Sequence, residues 1–153
     1  MSVVPVKVLT PKHPSARQGL SKVARNLREQ FVIEGTLIAE SIRVGAELDG
    51  VCLVTRKIRR AAAGDPSAGQ PELWTLIEFE AEEPDAEVLA YALAKVLDRQ
   101  HGWYVDFRTP EETFVVYSAR VFRYPRGDSS GRAEAAAHGR SLGVPEHQLD
   151  WPV

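Results

Sequence analysis

Apolar side chains recur at Leu20, Val23, Ala24 and Leu27, with Lys22, Arg25 and Arg28 on the opposite side. That period predicts an amphipathic helix over 16–29, capped by Ser15. Ahead of it, Pro5, Pro11 and Pro14 prevent a helix and favour an extended arm. The chain thus divides into an arm over 1–14 and a single domain over 15–153.

Beyond residue 30 the period shortens. FVIEGTLIAESIRV (31–44) is rich in Val, Ile and Thr around an interior Gly35, and predicts a bulged strand. Gly45 and Asp49-Gly50 mark turns, and VCLVTRKIRR (51–60) reads as the returning strand. Strict alternation there sets Cys52, Val54 and Ile58 on one face with Arg56 and Arg60, apart from Lys57 and Arg59. The small, turn-rich AAAGDPSAGQP (61–71) is a surface loop without catalytic character. A third strand follows, with Leu73, Thr75, Ile77 and Phe79 alternating with Trp74, Leu76, Glu78 and Glu80.

Pro84, then Asp85 and Glu87, then apolar residues at 88, 89, 92, 93, 96 and 97 predict a helix over 84–98, ended by His101-Gly102. WYVDFR (103–108) and TFVVYSARVFRY (113–124) flank Thr109–Glu112 as two strands of an antiparallel hairpin. Ser129 or Ser130 caps a last helix over 131–142, closed by Gly143 and Pro145, and Trp151 anchors the tail. The order α-β-β-β-α-β-β-α describes an α+β fold, with about five mainly antiparallel strands and helices on one face. The helix between the third and fourth strands also leaves room for one parallel crossover.

Composition narrows the class. With 44% hydrophobic and 26% charged residues, the chain is an ordinary globular mixture. No apolar run approaches the ~20 residues of a membrane span, and no signal-type apolar region opens the chain, which points to a cytoplasmic protein without membrane contact. Cys52 stands alone, so a disulfide within the chain, a zinc ribbon and a C-x-x-C pair are all ruled out. The net charge of -2 argues against a nucleic-acid binder held by bulk charge. Charge is nevertheless uneven: the net is +6 over 1–64, -7 over 65–99 and -1 over 100–153.

No G-x-G-x-x-G, G-x-x-x-x-G-K-[ST], H-E-x-x-H or G-x-S-x-G motif occurs. His13, His101, His138 and His147 are never three or four residues apart, so no two-histidine helical clamp exists, and neither metal nor cofactor is expected. Three constellations remain. In the hairpin, Trp103, Val105 and Phe107 share one face and Tyr104, Asp106 and Arg108 the other, with Tyr104 opposite Tyr117 and Asp106 opposite Val115. A carboxylate between a phenol and a guanidinium suits a general base, with Tyr104 and Tyr117 as hydrogen-bond donors to a substrate. The plainer reading is a solvent-side Asp106–Arg108 ion pair over an aromatic sheet. Arg56 and Arg60, in the basic run 56–60, form a second candidate, for phosphate or an acidic protein, though alternation lets only half the cations point together. Glu78, Glu80 and Glu82 form a third, an acidic strip fit to meet a basic partner or simply to be solvated.

The C-terminal part, through GWYVDF (102–107), TFVVYSARVFRYPRGD (113–128) and SLGVPEHQLDW (141–151), resembles a group of small bacterial proteins with the pattern W-Y-x-D-F, an aromatic strand, and S-L-G-[IV]-P-x-x-Q-L-D-[FW]. The resemblance implies a bacterial cytoplasmic α+β domain and carries no activity across. It marks Trp103, Tyr104, Asp106, Gln148 and Asp150 as features of a shared design, with Gln148 and Asp150 tying the tail to the sheet. The expected function is a non-catalytic binding or interaction protein of the regulatory, inhibitor or immunity type. Its expected partner is another protein or a second copy of itself, with a small molecule as a further option. The alternatives are a small cofactor-free isomerase or cyclase using Asp106 as base, and a weak nucleic-acid binder through 56–60.

Overall fold

The computed structural model describes residues 32–151, so the expected arm over 1–14 and helix over 16–29 lie outside the described residues. Strands β1 (Val32–Ile38), β2 (Val54–Ala62), β3 (Leu73–Glu82), β4 (Tyr104–Arg108), β5 (Glu112–Tyr117) and β6 (Arg120–Pro125) are joined by helices α1 (Ala86–Val96) and α2 (Ser129–Ser141). They form one sheet of six strands in the order β2-β3-β1-β4-β5-β6. Every neighbouring pair is antiparallel. Because β3 and β4 both run against β1, they are parallel to each other with β1 between them, and α1 makes the crossover that the helix length allows.

The α+β class and the antiparallel sheet hold, while the strand count rises from five to six. The run over 113–124 folds back on itself at Ser118-Ala119, which leaves Tyr117 opposite Arg120. Ala119 takes φ +60° there, unusual for a residue with a Cβ. Its N–H donates to Ala94 O of α1 at 2.8 Å, so a tertiary contact holds a turn that no Gly, Pro or Asn announces. The first strand also stops early. A 3-10 turn over Ala39–Ser41 follows Ile38, and buried Ser41 donates its hydroxyl to Ile38 O at 2.6 Å. In compensation β2 runs on to Ala62, into the stretch read as a loop.

Helices cover both faces of the sheet, not one. On the first face α1 presents Leu89, Ala90, Leu93 and Ala94 to Ile33, Leu37, Phe79, Val105, Phe107, Phe114 and Val116. On the second face α2 and the tail place Ala135, Ala136, Leu149 and Trp151 over Val115, Tyr117, Phe122 and Tyr124. Burial without alternation from Thr113 to Tyr117 is the cause, since a strand apolar on both sides needs two covers. Each fully buried Leu of α1 contributes ~2 kcal/mol of apolar transfer. Leu93→Ala is therefore expected to cost about 2–5 kcal/mol once its cavity is counted.

Two glycines permit close approach. Gly35 on β1 faces Phe79, whose ring occupies the space a Cβ would fill. Gly139 lets α2 settle on Tyr117 and Leu149 in the same way. The cap of α2 is Asp128, not a serine: its carboxylate accepts from Ser130 N–H at 2.9 Å.

Candidate functional site

Where α2 and the tail stop covering the second face, a concavity of about 310 Å³ opens over β3, β1 and β4. Its floor is Leu76, Thr36, Ile38 and Asp106, contributed by period two from three adjacent strands. Trp74 and Trp103 meet edge to face at one end, with centroids 5.8 Å apart. Gly64, Asp65 and Gln70 from the 63–72 connection, and Gln148 from the tail, make the rim.

Hydrogen bonds hold the rim closed. Gln148 Nε2 donates to Asp65 O at 2.9 Å, and Gln70 Nε2 donates to His101 O at 2.8 Å. Below them Tyr104 donates to Gln148 O at 2.6 Å and stacks edge-on against Trp151. Trp151, 4% exposed, is indeed the anchor of the tail. Asp150, expected to tie the tail to the sheet, instead ties it to α2, pairing with Arg132 at 2.9 Å.

Asp106 is half-buried and touches little. Its nearest charged partner, Arg108, stands 4.0 Å away, too far for a hydrogen bond. Burial pushes the Asp106 carboxyl above the usual carboxylate range, and Arg108 pulls part of the way back. Burial also holds the Tyr104 phenol up to about 12, with the Asp106 charge adding to the effect.

The hairpin pairs as its period requires, Tyr104 opposite Tyr117 and Asp106 opposite Val115. Trp103, expected on the opposite face with Val105 and Phe107, instead precedes the first residue of β4 and turns to meet Trp74, so it joins Tyr104 and Asp106 in the concavity. Tyr117 does not reach it, because it is fully buried under α2 and its hydroxyl donates to Ala135 O at 3.2 Å. With the Tyr104 hydroxyl bonded to Gln148, both phenol protons are committed within the fold. Arg108 lies one step along the same face, in a row with Thr113 and Tyr124. Arg108 Nε, Thr113 Oγ1 and Tyr124 Oη are buried there with no hydrogen-bond partner among the described residues.

The acidic strip and the basic strand neutralise each other. A bulge between Thr55 and Lys57 resets the alternation of β2, so Arg56 joins Lys57 and Arg59 on one face and leaves Arg60 on the other. Arg56 pairs with Glu80, while Lys57 and Arg59 reach Glu78 at 3.7 and 3.8 Å. Arg60 acts on Glu40, which also accepts from Thr75 N–H and Oγ1. Glu82 is exposed at the far end of β3 and stays out of the concavity. Among the described residues no cluster of three metal-ligating side chains occurs, and no helix is long and apolar enough to cross a membrane.

Sequence reasoning overlooked Trp74 and the 63–72 connection as site elements. Gln70 and His101 fix that connection, His101 at φ +67° with its Nδ1 3.0 Å from Ala68 O, a corner that no local pattern in the sequence announces. Neither a family model, nor a curated protein, nor a solved structure matches the chain.

Proposed function

We propose that the protein is a non-catalytic binding module for a small molecule, held in the Asp106 concavity by an aromatic-walled apolar body contact and one N–H or O–H donor. The observation carrying this reading is a half-buried carboxylate with no strong protein partner, set in a concavity of about 310 Å³ with two indoles at one end. Such a combination of apolar lining and few convergent polar atoms is typical of small-ligand sites. The hydrogen bonds closing the rim favour a preformed pocket, which lowers the ordering cost of binding.

Benzamidine and benzyl alcohol test the donor requirement, with benzoate as a ring that lacks it. In a ¹⁵N-labelled sample the first two are expected to shift the Trp74 and Trp103 indole signals saturably, and Asp106→Asn to weaken benzamidine by about ten-fold. Equal shifts from benzoate, or affinities untouched by Asp106→Asn, would refute the reading. The raised carboxyl also suits a general base. That second reading gains only if Asp106→Asn abolishes turnover of a bound compound while leaving its affinity intact.

A further inference from the structure

A separate cleft of about 360 Å³ lies where the C-terminal end of α1 meets the Ser118-Ala119 turn, and it shares no lining residue with the Asp106 concavity. Arg43, Lys95, Arg99 and Arg120 line it, and no carboxylate does. Among the described residues none of these four cations enters an ion pair. The other described cations without one are Arg60, which acts on Glu40, and Arg126, which donates to Pro110 O at 3.5 Å. Four of the six described Lys and Arg side chains without an ion pair therefore border one concave place.

The dipole at the C-terminal end of α1 accounts for Lys95 in the last turn, but hydrogen-bond capping does not explain the cluster. Leu93, Ala94 and Val96 carbonyls of the last turn of α1 already accept backbone N–H groups, from Leu97 at 3.0 Å, Ala119 at 2.8 Å and Arg43 at 2.8 Å. Asp98, beside Arg99, turns its carboxylate to Gln100 N–H at 2.8 Å. Arg120 borders the cleft but turns its guanidinium over the Phe122 ring at 4.7 Å, on the α2 face, while Tyr91, 54% exposed, offers an aromatic wall.

We propose that this cleft binds a small molecule carrying two or more linked phosphate groups, with Arg43, Lys95 and Arg99 as the anion contacts and Tyr91 as a stacking face for a ring. Guanidinium forks match phosphate oxygens in pairs, and a concave wall concentrates their field. The volume suits a compact ligand, whereas an extended polymer would need a longer track.

The test titrates inorganic tripolyphosphate and ATP into the full chain by calorimetry at physiological salt. One saturable site with Kd below about 1 mM is expected for each. Lys95→Ala with Arg99→Ala should weaken both by about ten-fold or more, while Arg56→Ala with Lys57→Ala, on the neutralised strand, should leave them unchanged. Tyr91→Ala should weaken ATP and spare tripolyphosphate. All the variants change exposed side chains, and an unchanged circular dichroism melt verifies folding. Absence of saturable binding, or equal weakening by the β2 pair, would overturn the proposal. Much tighter capture of a twelve-nucleotide single strand through the same side chains would overturn it too.

Discussion

Tyr104 donates its phenolic O–H in a hydrogen bond to the main-chain carbonyl of Gln148 at 2.6 Å. This bond fastens the tail to β4, and Gln148 in turn fastens the tail to the 63–72 connection. The rim of the Asp106 concavity and the floor beneath it are thus linked through one residue.

Tyr104→Phe is expected to cost about 1 kcal/mol, the usual net worth of such a hydrogen bond. The loss should depend on pH. Folded Tyr104 holds its proton up to about 12, above the ordinary phenol value of 10.0. The folded state therefore binds the proton more tightly, and the resulting stability is intact below the unfolded value and fades as pH rises through the folded one. Urea midpoints of wild type and variant should converge across that window. A gap that stays constant would contradict the assignment.

Asp106→Asn is expected to stabilise the fold at neutral pH while it removes the ligand contact. Burial raises the Asp106 carboxyl, so its charged form is the penalised one. That penalty is absent below the unfolded value of 3.8, and sets in as pH rises through the folded value. Thermal melts at neutral and acidic pH compare the two proteins. A variant less stable than wild type at neutral pH would mean that the Arg108 attraction outweighs desolvation.

Gly35→Ala is expected to destabilise by about 1–3 kcal/mol, through overpacking. Its Cβ would stand 2.9 Å from Phe79 Cε1 and closer still to the ring tip. Phe79→Leu in the same chain should recover part of the loss, because it removes the atoms that clash. Additive losses in urea titrations would show that the glycine is needed for another reason.

Thr113→Val is expected to leave stability unchanged or raise it slightly. Thr113 is 1% exposed, and its hydroxyl has no partner among the described residues. Replacing an unpartnered buried hydroxyl by a methyl of the same shape removes a desolvation cost. A loss above ~1 kcal/mol in the urea midpoint would reveal a water bridge at Arg108 or Tyr124.

The hairpin pairing of Tyr104 with Tyr117 and Asp106 with Val115 was legible because period two fixes both face and partner once the loop is placed. Helix α1 was legible as an element, but it runs Ala86–Val96 after a 3-10 turn over Glu83–Asp85, and its buried face is Leu89, Ala90, Leu93 and Ala94, with Val88 of the expected face exposed. Other features lie beyond local pattern. The bulge that moves Arg56 onto the face of Glu80 depends on the register of β3, and the turn at Ala119 depends on a carbonyl of α1. The two covered faces, by contrast, were signalled by the unbroken Phe114-Val115-Val116-Tyr117 run, apolar on both sides of the strand, and the expectation of helices on one face passed that signal over. The cationic cleft was out of reach altogether, since residues 43, 95, 99 and 120 share no motif and meet only through the crossover.

The position of β1 between β3 and β4 has a kinetic side. The β2–β3 pair and the β4–β5–β6 meander each close over short stretches of chain, whereas Val32 waits for Glu82 and Gly35 for Phe107. During synthesis β1 emerges before either neighbour, must wait past β2 for β3 and longer still for β4, and so the weld between the two half-sheets is the high-contact-order event of assembly. A chain arrested before β1 docks would present two open sheet edges at once, which makes this step the point where misassembly between copies competes with folding.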